Sequence, residues 1–474
     1  MIALVIVADV MDLLDTTIAN LAGPSIRSDL GGGESALQWV LTAYTTVFAV
    51  GLVVSARVGD RLGRRCLFIT GMVGFTAASL LSGLAPTVGL LVAARAVQGL
   101  FGALMIPQGL AMVKQSFVAR DLQKAFTPFA PIMGLAAVLG PILAGVILHA
   151  DLWGTGWRMI FLINLPVGII GTALAVRYLP RGEPDTSIHI DLGGSVLLAA
   201  ASGLLIFPLV QGRELGWPAW VWGMLAASAA LFAAFGWRER NSSHPVIEPT
   251  LFHNRGFVAG VVFLGTFFTP MNGVMLIVNL FLQLGLGYPP LKTGAAMTAL
   301  AVGLAIGAAL SGAWLGRKLG RTVLHGGLAC AGLGMIALVC TIQRDGLAAS
   351  GWDLAGPLFV NGLGSGAIFV PLFDIILADL NDQEVGTGSG LLNATQQFAG
   401  ALGVAVFGTL VFDVLAQQGW VDAVTHVGWA ALACYALSFL VVFWLPKAPR
   451  GQTTGSNGEQ LPTNEGTGSR SAAT

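Results

Sequence analysis

Fourteen apolar segments, each long enough to cross a bilayer, fill this chain from Met1 to about Pro446. A span needs roughly 20 mostly apolar residues. The segments read as 2–23, 36–56, 67–86, 88–110, 126–149, 159–179, 191–211, 217–236, 256–282, 293–315, 322–342, 354–378, 387–412 and 426–446. Only 10% of the 474 residues are charged, against about 25% in a soluble domain. A soluble core would need amphipathic helices with a wet face, whereas most of these segments are apolar all round. The expected fold class is an all-α polytopic membrane protein with 14 transmembrane helices, and its first partner is the lipid bilayer. A net charge of zero leaves no footprint for nucleic acid.

Charge sets the expected orientation. One set of loops and ends carries Arg57, Arg61, Arg64, Arg65, Lys114, Arg120, Lys124, Arg177, Arg181, Arg238, Arg240, Arg255, Arg317, Lys318, Arg321, Lys447 and Arg450. The other carries Arg27, Arg158, Arg213, Lys292 and Arg344. The first side is expected to be cytoplasmic, with both termini on it. The N-terminus lacks a basic flank and carries Asp9, Asp12 and Asp15, so it reads as a first span rather than a cleaved signal. The apolar run begins at Met1 itself, so a native start a few residues upstream is expected. The tail from about Gly451 to Thr474 is rich in Gly, Ser, Thr and Asn and reads as a disordered cytoplasmic end. Short charged loops without organelle signals suit a bacterial inner (plasma) membrane.

A repeat is visible within the chain. The second segment ends in Ala56-Arg57-Val58-Gly59-Asp60-Arg61-Leu62-Gly63-Arg64-Arg65. The tenth ends in Gly312-Ala313-Trp314-Leu315-Gly316-Arg317-Lys318-Leu319-Gly320-Arg321. Each is the basic end of the second span of a six-span block. The chain then divides into an N-terminal half at 1–180, an inserted hairpin with linkers at 181–248, a C-terminal half at 249–447 and the tail at 448–474. Two halves related across the membrane normal are a transporter plan, with cargo bound near the midplane between them.

At these residues the chain resembles the major facilitator superfamily, specifically its fourteen-helix drug:proton antiporter branch. Leu14-Asp15-Thr16-Thr17-Ile18-Ala19-Asn20 is similar to that branch's first-helix motif. The loop after the second span resembles the superfamily's signature loop, with Ala56 where glycine is usual. Arg95-Ala96-Val97-Gln98-Gly99 and then Pro107 are similar to the proton-linked motif. Gly134, Gly140, Pro141, Ala144 and Gly145 resemble the antiporter motif, and Trp157-Arg158, Phe161, Asn164 and Pro166 match the entry to the sixth span. The second-half loop has Gly316 where the first has Asp60, so an acidic role carries over to Asp60 alone.

The few polar groups inside the spans are the candidate site. Arg95 sits in an apolar stretch, where a buried charge costs several kcal/mol. It lies about 10 Å into its span at 1.5 Å per residue. Asp15 lies about 21 Å from the opposite face, so the two can share a level. They are expected to face the central cavity and respond to each other's charge, with Gln98 one turn on. Asp12 and Asp9 continue the line from Asp15 and suggest a proton path or attraction for cations; proton coupling is expected at Asp15, Arg95 and Asp12. Asn20, Gln98, Asn272, Asn279, Gln283, Asn393 and Gln397 are expected to line the cargo cavity. Gly59, Asp60, Arg61, Gly63 and Arg64 are expected to form a conformational latch, the glycines allowing tight turning and the carboxylate favouring helix N-termini. Ala136, Gly140 and Ala144, four apart, permit close helix contact, and Pro141 bends the helix.

Cys66, Cys330, Cys340 and Cys434 lie apart in apolar segments without CxxC spacing and read as small buried side chains. No complete phosphate loop or HExxH motif occurs. No metal, cofactor or enzymatic activity is expected. The reading that follows is a secondary exporter exchanging protons for hydrophobic, drug-like small molecules, with cationic ones within its scope. The alternatives are a same-fold proton-coupled carrier of a polar metabolite, and a non-transporting membrane sensor or scaffold.

Overall fold

The structure, a computed structural model, describes residues 1–116, 129–180, 191–242, 247–378, 380 and 382–446. Arg120, Lys124, Arg181, Lys447, Arg450 and the tail lie outside the described residues, as does the side chain of Lys114. The described chain is all-helical. In order, the long helices are α1 Ile2–Leu30, α2 Glu34–Leu62, α3 Arg64–Gly83, α4 Val88–Ser116, α5 Phe129–Ala150, α6 Asn164–Tyr178 and α7 Leu192–Gln211. They continue with α8 Ala219–Asn241, α9 Arg255–Leu280, α10 Pro290–Leu310, α11 Thr322–Asp345, α12 Gly351–Leu377, α13 Asp382–Gln418 and α14 Trp420–Val441. Among the described residues, 12 helices are long and apolar enough to cross a membrane. α1 is not one of them; it carries Asp9, Asp12 and Asp15. Within α5 the apolar helix runs Val138–Ala150.

The turn between α2 and α3 shows why its glycine is there. Gly63 has φ +93°, and Gly320, its counterpart in the repeat, has φ +51°. Both lie in the left-handed region, where a Cβ costs roughly 1–2 kcal/mol. No neighbouring atom lies within 4 Å of a Cβ built on Gly63, so the strain is purely one of backbone. Gly63→Ala is therefore expected to cost about 1–2 kcal/mol, read as a lower melting temperature in detergent; an unchanged melt would show that the turn relaxes.

Helix packing follows the repeat. α2 packs on α13, and α5 packs on α10. With α9 as the counterpart of α1, α2 corresponds to α10 and α5 to α13, so one two-fold operation exchanges these two contacts. Small residues let backbones touch. Cβ atoms built on Gly303 and Gly307 of α10 would lie 2.2 Å and 2.1 Å from the carbonyl oxygens of Phe359 and Leu363 on α12.

The apolar core is continuous at one end of the bundle and divided at the other. Away from the basic loops, a single cluster joins Ile18, Leu21 and Ile26 of α1, Leu37 and Leu41 of α2 and Ile147 of α5 to Val274, Ile277, Phe281, Met297, Phe407 and Val424 of the second block. At the basic end, Leu4, Tyr44, Phe68, Met72 and Phe75 form one core. Phe257, Phe263, Phe267, Leu324 and Leu372 form another. Val53 and Ala394 link these two along α2 and α13.

α7 packs on both α2 and α13, and α8 packs on α7. α8 turns Trp220, Trp222 and Trp237 outward. Asp191 caps α7 by accepting from the Gly194 amide at 2.9 Å and pairs with Arg238 of α8 at 2.8 Å. The Arg238 bond, opposed by burial and aided by the Gly194 amide, holds the Asp191 carboxyl below its ordinary range. The stabilisation is complete above the unfolded value of about 3.9 and disappears as pH falls through the lower folded value. Asp191→Asn is therefore expected to lower the melting temperature at neutral pH, with the difference from wild type shrinking progressively as pH falls below about 3.9. A difference that persists in strong acid would exclude the ion pair as its cause.

The cysteines depart from expectation. Cys66 and Cys340 are exposed on the outside of the bundle, and Cys330 and Cys434 are half-buried. An apolar membrane helix can turn a small side chain to lipid as readily as to the core, so burial is not legible from apolar context alone.

Candidate functional site

α1 and α4 pack together in the first block and bring Asp15 and Arg95 into direct contact, an ion pair through a guanidinium nitrogen and Oδ2. Both are buried: Arg95 is 0% and Asp15 2% exposed. A buried ion pair recovers its desolvation cost only when its remaining donors and acceptors are also satisfied. Here they are. Asp15 Oδ1 accepts from Gln98 Nε2 at 2.9 Å and from Asn164 Nδ2 at 2.8 Å. Arg95 donates through Nε to the Val40 carbonyl at 3.3 Å and through Nη1 to Gln98 Oε1 at 2.7 Å. Ser79 Oγ accepts from Gln98 at 2.8 Å and from Asn164 at 3.3 Å.

Tyr44 of α2 joins the second carboxylate to this network. Its hydroxyl donates to Asp12 Oδ1, while its ring lies 4.3 Å from the Arg95 guanidinium carbon. The ring face is electron-rich and attracts the cation. Phe161 lies 5.5 Å away on the same guanidinium. Gly99 is required by this approach: its Cβ would sit 2.3 Å from the Tyr44 carbonyl oxygen. Asp12 is half-buried and Asp9 is 8% exposed. The arrangement holds one charge pair in a dry pocket and a second carboxylate at its edge, and can pass a change of charge at Asp12 through Tyr44 to Arg95.

Other predicted residues fall elsewhere. Asn279 Nδ2 of α9 donates to the Asn20 carbonyl of α1 at 2.7 Å, and Gln283 Nε2 donates to the Leu21 carbonyl at 2.8 Å. They tie the two blocks together at the end opposite the basic loops. The half-buried side chain of Asn20 leaves Oδ1 without a hydrogen-bond partner. Asn272 donates to its own helix at Phe268 and Asn393 to Ser389, each at 3.0 Å. Asn393 is exposed and Gln397 half-buried. Gly59 and Asp60 lie at the end of α2, Arg61 is exposed, and Asp60 pairs with Arg64 at 2.7 Å. A Cβ on Gly59 would overlap the Gln108 side chain of α4 at 2.0 Å.

The antiporter-motif residues lie on α5 at its contact with α1 and α10. Gly140 faces Thr17, and a Cβ on Gly145 would lie 2.7 Å from the Leu291 Cα. The Pro141 carbonyl oxygen would lie 2.2 Å from a Cβ on Gly294. Gly134 lies in α5, but its surroundings fall outside the described residues. Sequence reasoning missed Tyr44 and Ser79. Tyr44 is one of four tyrosines and sits inside an apolar span, a signal that was available; Ser79 gave none.

Comparison with known proteins supplies the wider context. The family model of the Major Facilitator Superfamily matches residues 5–404 and 262–470. The "Probable actinorhodin transporter" of Streptomyces coelicolor is 46% identical over 87% of this chain and 72% of its own length. The "Puromycin resistance protein pur8" of Streptomyces alboniger is 32% identical over 93% of this chain and 88% of its own. Among solved structures, a D-xylose–proton symporter superposes with a TM-score of 0.66 at 14% identity, over 94% of this chain and 97% of that one. That likeness speaks for the fold alone. The ion-paired core of the first block, the repeated loop and the sequence matches along nearly the whole chain agree: this multi-pass membrane transporter belongs to the Major Facilitator Superfamily, in its drug:proton antiporter branch.

Proposed function

We propose that this protein exports hydrophobic, drug-like small molecules across the plasma membrane in exchange for protons, by alternating access. The single observation that carries the reading is the Asp15–Arg95 pair sealed by Gln98 and Asn164 and linked through Tyr44 to the half-buried Asp12. A buried ion pair with this network around it is a costly structural element, and an intramembrane ionisable group is by default a functional candidate. Relatives named for actinorhodin transport, puromycin resistance and "Tetracenomycin C resistance and export" support drug-like cargo.

Fourteen spans are proposed: the 12 apolar helices together with α1 and α5. They form two six-helix halves with α7–α8 as the inserted hairpin. The mirrored contacts of α2 with α13 and α5 with α10 support this division. The basic loops are assigned to the cytoplasm, with both termini, on the positive-inside rule. The core joined at the outer end and divided at the inner one then corresponds to an inward-open state. Protonation on the outer side weakens the attraction that holds the acid–arginine network together, and deprotonation on the more alkaline inner side restores it. Asp12, at the edge of the pocket, exchanges protons or a cationic group of the cargo, and Asp15 carries the charge that answers inside. The latch role of Asp60 requires it to trade its Arg64 bond for a partner on a neighbouring helix when the inner ends close.

The test is a reconstituted vesicle with an acid interior, in which internal pH is followed as lipophilic cations are added. Proton efflux triggered by cargo and lost in Asp15→Asn is the expected result. Efflux that persists in the variant removes Asp15 from coupling. No proton movement with any cation redirects the search to neutral, anionic or polar metabolites.

A further inference from the structure

We infer that Arg213, on the turn between α7 and α8, locks the outer seam between the two halves. The turn is short and rigid: the Trp217 amide donates to the Gly212 carbonyl at 2.8 Å and the Gly216 amide to the Arg213 carbonyl at 3.0 Å. Arg213 is bonded to Glu34, at the start of α2 in the first half. Its Nε lies 3.9 Å from Asp413 of α13 in the second half. One guanidinium therefore faces a carboxylate on each side of the seam, and planar forks of this kind suit two carboxylates at once.

Neighbouring contacts fix the turn in place. Glu214 accepts from the Ser35 amide at 2.9 Å and from the Ser35 hydroxyl at 2.7 Å, which also satisfies the first turn of α2. Gln211 accepts from Trp39 Nε1 at 3.1 Å and donates to Glu214 at 2.9 Å. On the other side, the Thr409 hydroxyl of α13 donates to the Leu209 carbonyl of α7. A Cβ on Gly33 would lie 2.1 Å from Glu214 Oε1, so a larger residue there would displace the Glu214 carboxylate. The hairpin is thus bonded to α2 and to α13 at the place where those helices must part for outward opening. The inserted pair of helices thereby carries a strap across the seam that the two halves alone would lack.

The inference rests on the reading of two rocking halves. The test places spin labels at Ser28→Cys and Gln417→Cys, exposed positions at the outer ends of α1 and α13. The background replaces Cys66, Cys330, Cys340 and Cys434 with serine. Distances across the outer seam are measured by pulsed electron resonance in the full chain, in lipid nanodiscs at neutral and acidic pH. Arg213→Ala and Arg213→Glu are expected to raise the long-distance, outer-open population about tenfold, the scale of a few partly exposed charge-assisted bonds. Arg213→Lys, which keeps the charge but not the fork, is expected to fall between wild type and Arg213→Ala. Distributions that are the same in wild type, Arg213→Ala and Arg213→Glu while still showing both populations overturn the lock and leave the rocking halves standing. An Arg213→Lys shift as large as that of Arg213→Ala also overturns it. A seam that never opens in any variant at either pH overturns both readings.

Discussion

Asp15→Asn is expected to be the most damaging single substitution in the first half, lowering stability by about 3–5 kcal/mol and abolishing coupled transport. The reason lies in what is left behind. Arg95 is fully buried and cannot lose its proton in a protein. Without the Asp15 charge it keeps the Val40 carbonyl, the Gln98 amide oxygen and the Tyr44 ring, none of which carries a compensating negative charge. The double variant Asp15→Asn, Arg95→Gln removes both charges and is expected to recover most of the lost stability without recovering transport, because replacing a whole buried pair is often nearly neutral. Melting in detergent reads the first quantity and cargo-driven proton movement in vesicles the second. If the double variant melts as low as the single one, the pair does not act as a unit. If it transports with full coupling, the pair is structural only.

Gly294→Val is expected to stop the cycle with the fold retained. A Cβ at 294 would lie 2.2 Å from the Pro141 carbonyl oxygen, and this oxygen belongs to backbone that cannot rotate away. The seam is close at a second point, since Gly145 of α5 sits against Leu291 of α10, and Gly140 sits against Thr17 of α1. Overpacking of this kind costs about 1–3 kcal/mol, and the cost applies only while α5 and α10 are together at the end away from the basic loops. The closed seam should lose roughly 5- to 100-fold in population, at 1.4 kcal/mol per tenfold. The measurement is labelling of Leu21→Cys by a membrane-impermeant maleimide from outside. Leu21 is 2% exposed with the seam closed, so labelling should quicken by a similar factor as transport falls. Labelling that stays slow while transport persists would mean that the helices slip past one another without parting.

Much of this molecule is written along the chain. Span positions, the repeat of the Gly59–Arg64 and Gly316–Arg321 loops and the bias of basic residues to alternate loops are one-dimensional properties: each follows from how a residue partitions between lipid, interface and water. The isolated charges Asp15 and Arg95 were legible for the same reason, since their burial needs a partner. The helices themselves run past the apolar stretches that revealed them, as α2 does from Glu34 to Leu62, because hydropathy marks the membrane and hydrogen bonding marks the helix.

Which groups meet was decided only by the tertiary structure. A helix that is apolar all round carries no stripe to show how it is rotated about its axis, because lipid and protein interior are equally apolar. Asn279 and Gln283 were expected in the cavity wall; their bonds to the Asn20 and Leu21 carbonyls are set by the rotation of α9 against α1. Tyr44 and Asn164 converge on the Asp15 network from α2 and α6 through packing that leaves no mark in hydropathy. The same holds for Arg213. By sequence it is one of the few basic residues on the sparsely charged side; the packing of α7 between α2 and α13 sets it between Glu34 and Asp413. The chain by itself determined where it crosses the membrane and which charges must be paired, because partitioning acts on each residue separately. The fold alone decided the partners, because close packing acts on surfaces brought together from distant parts of the chain.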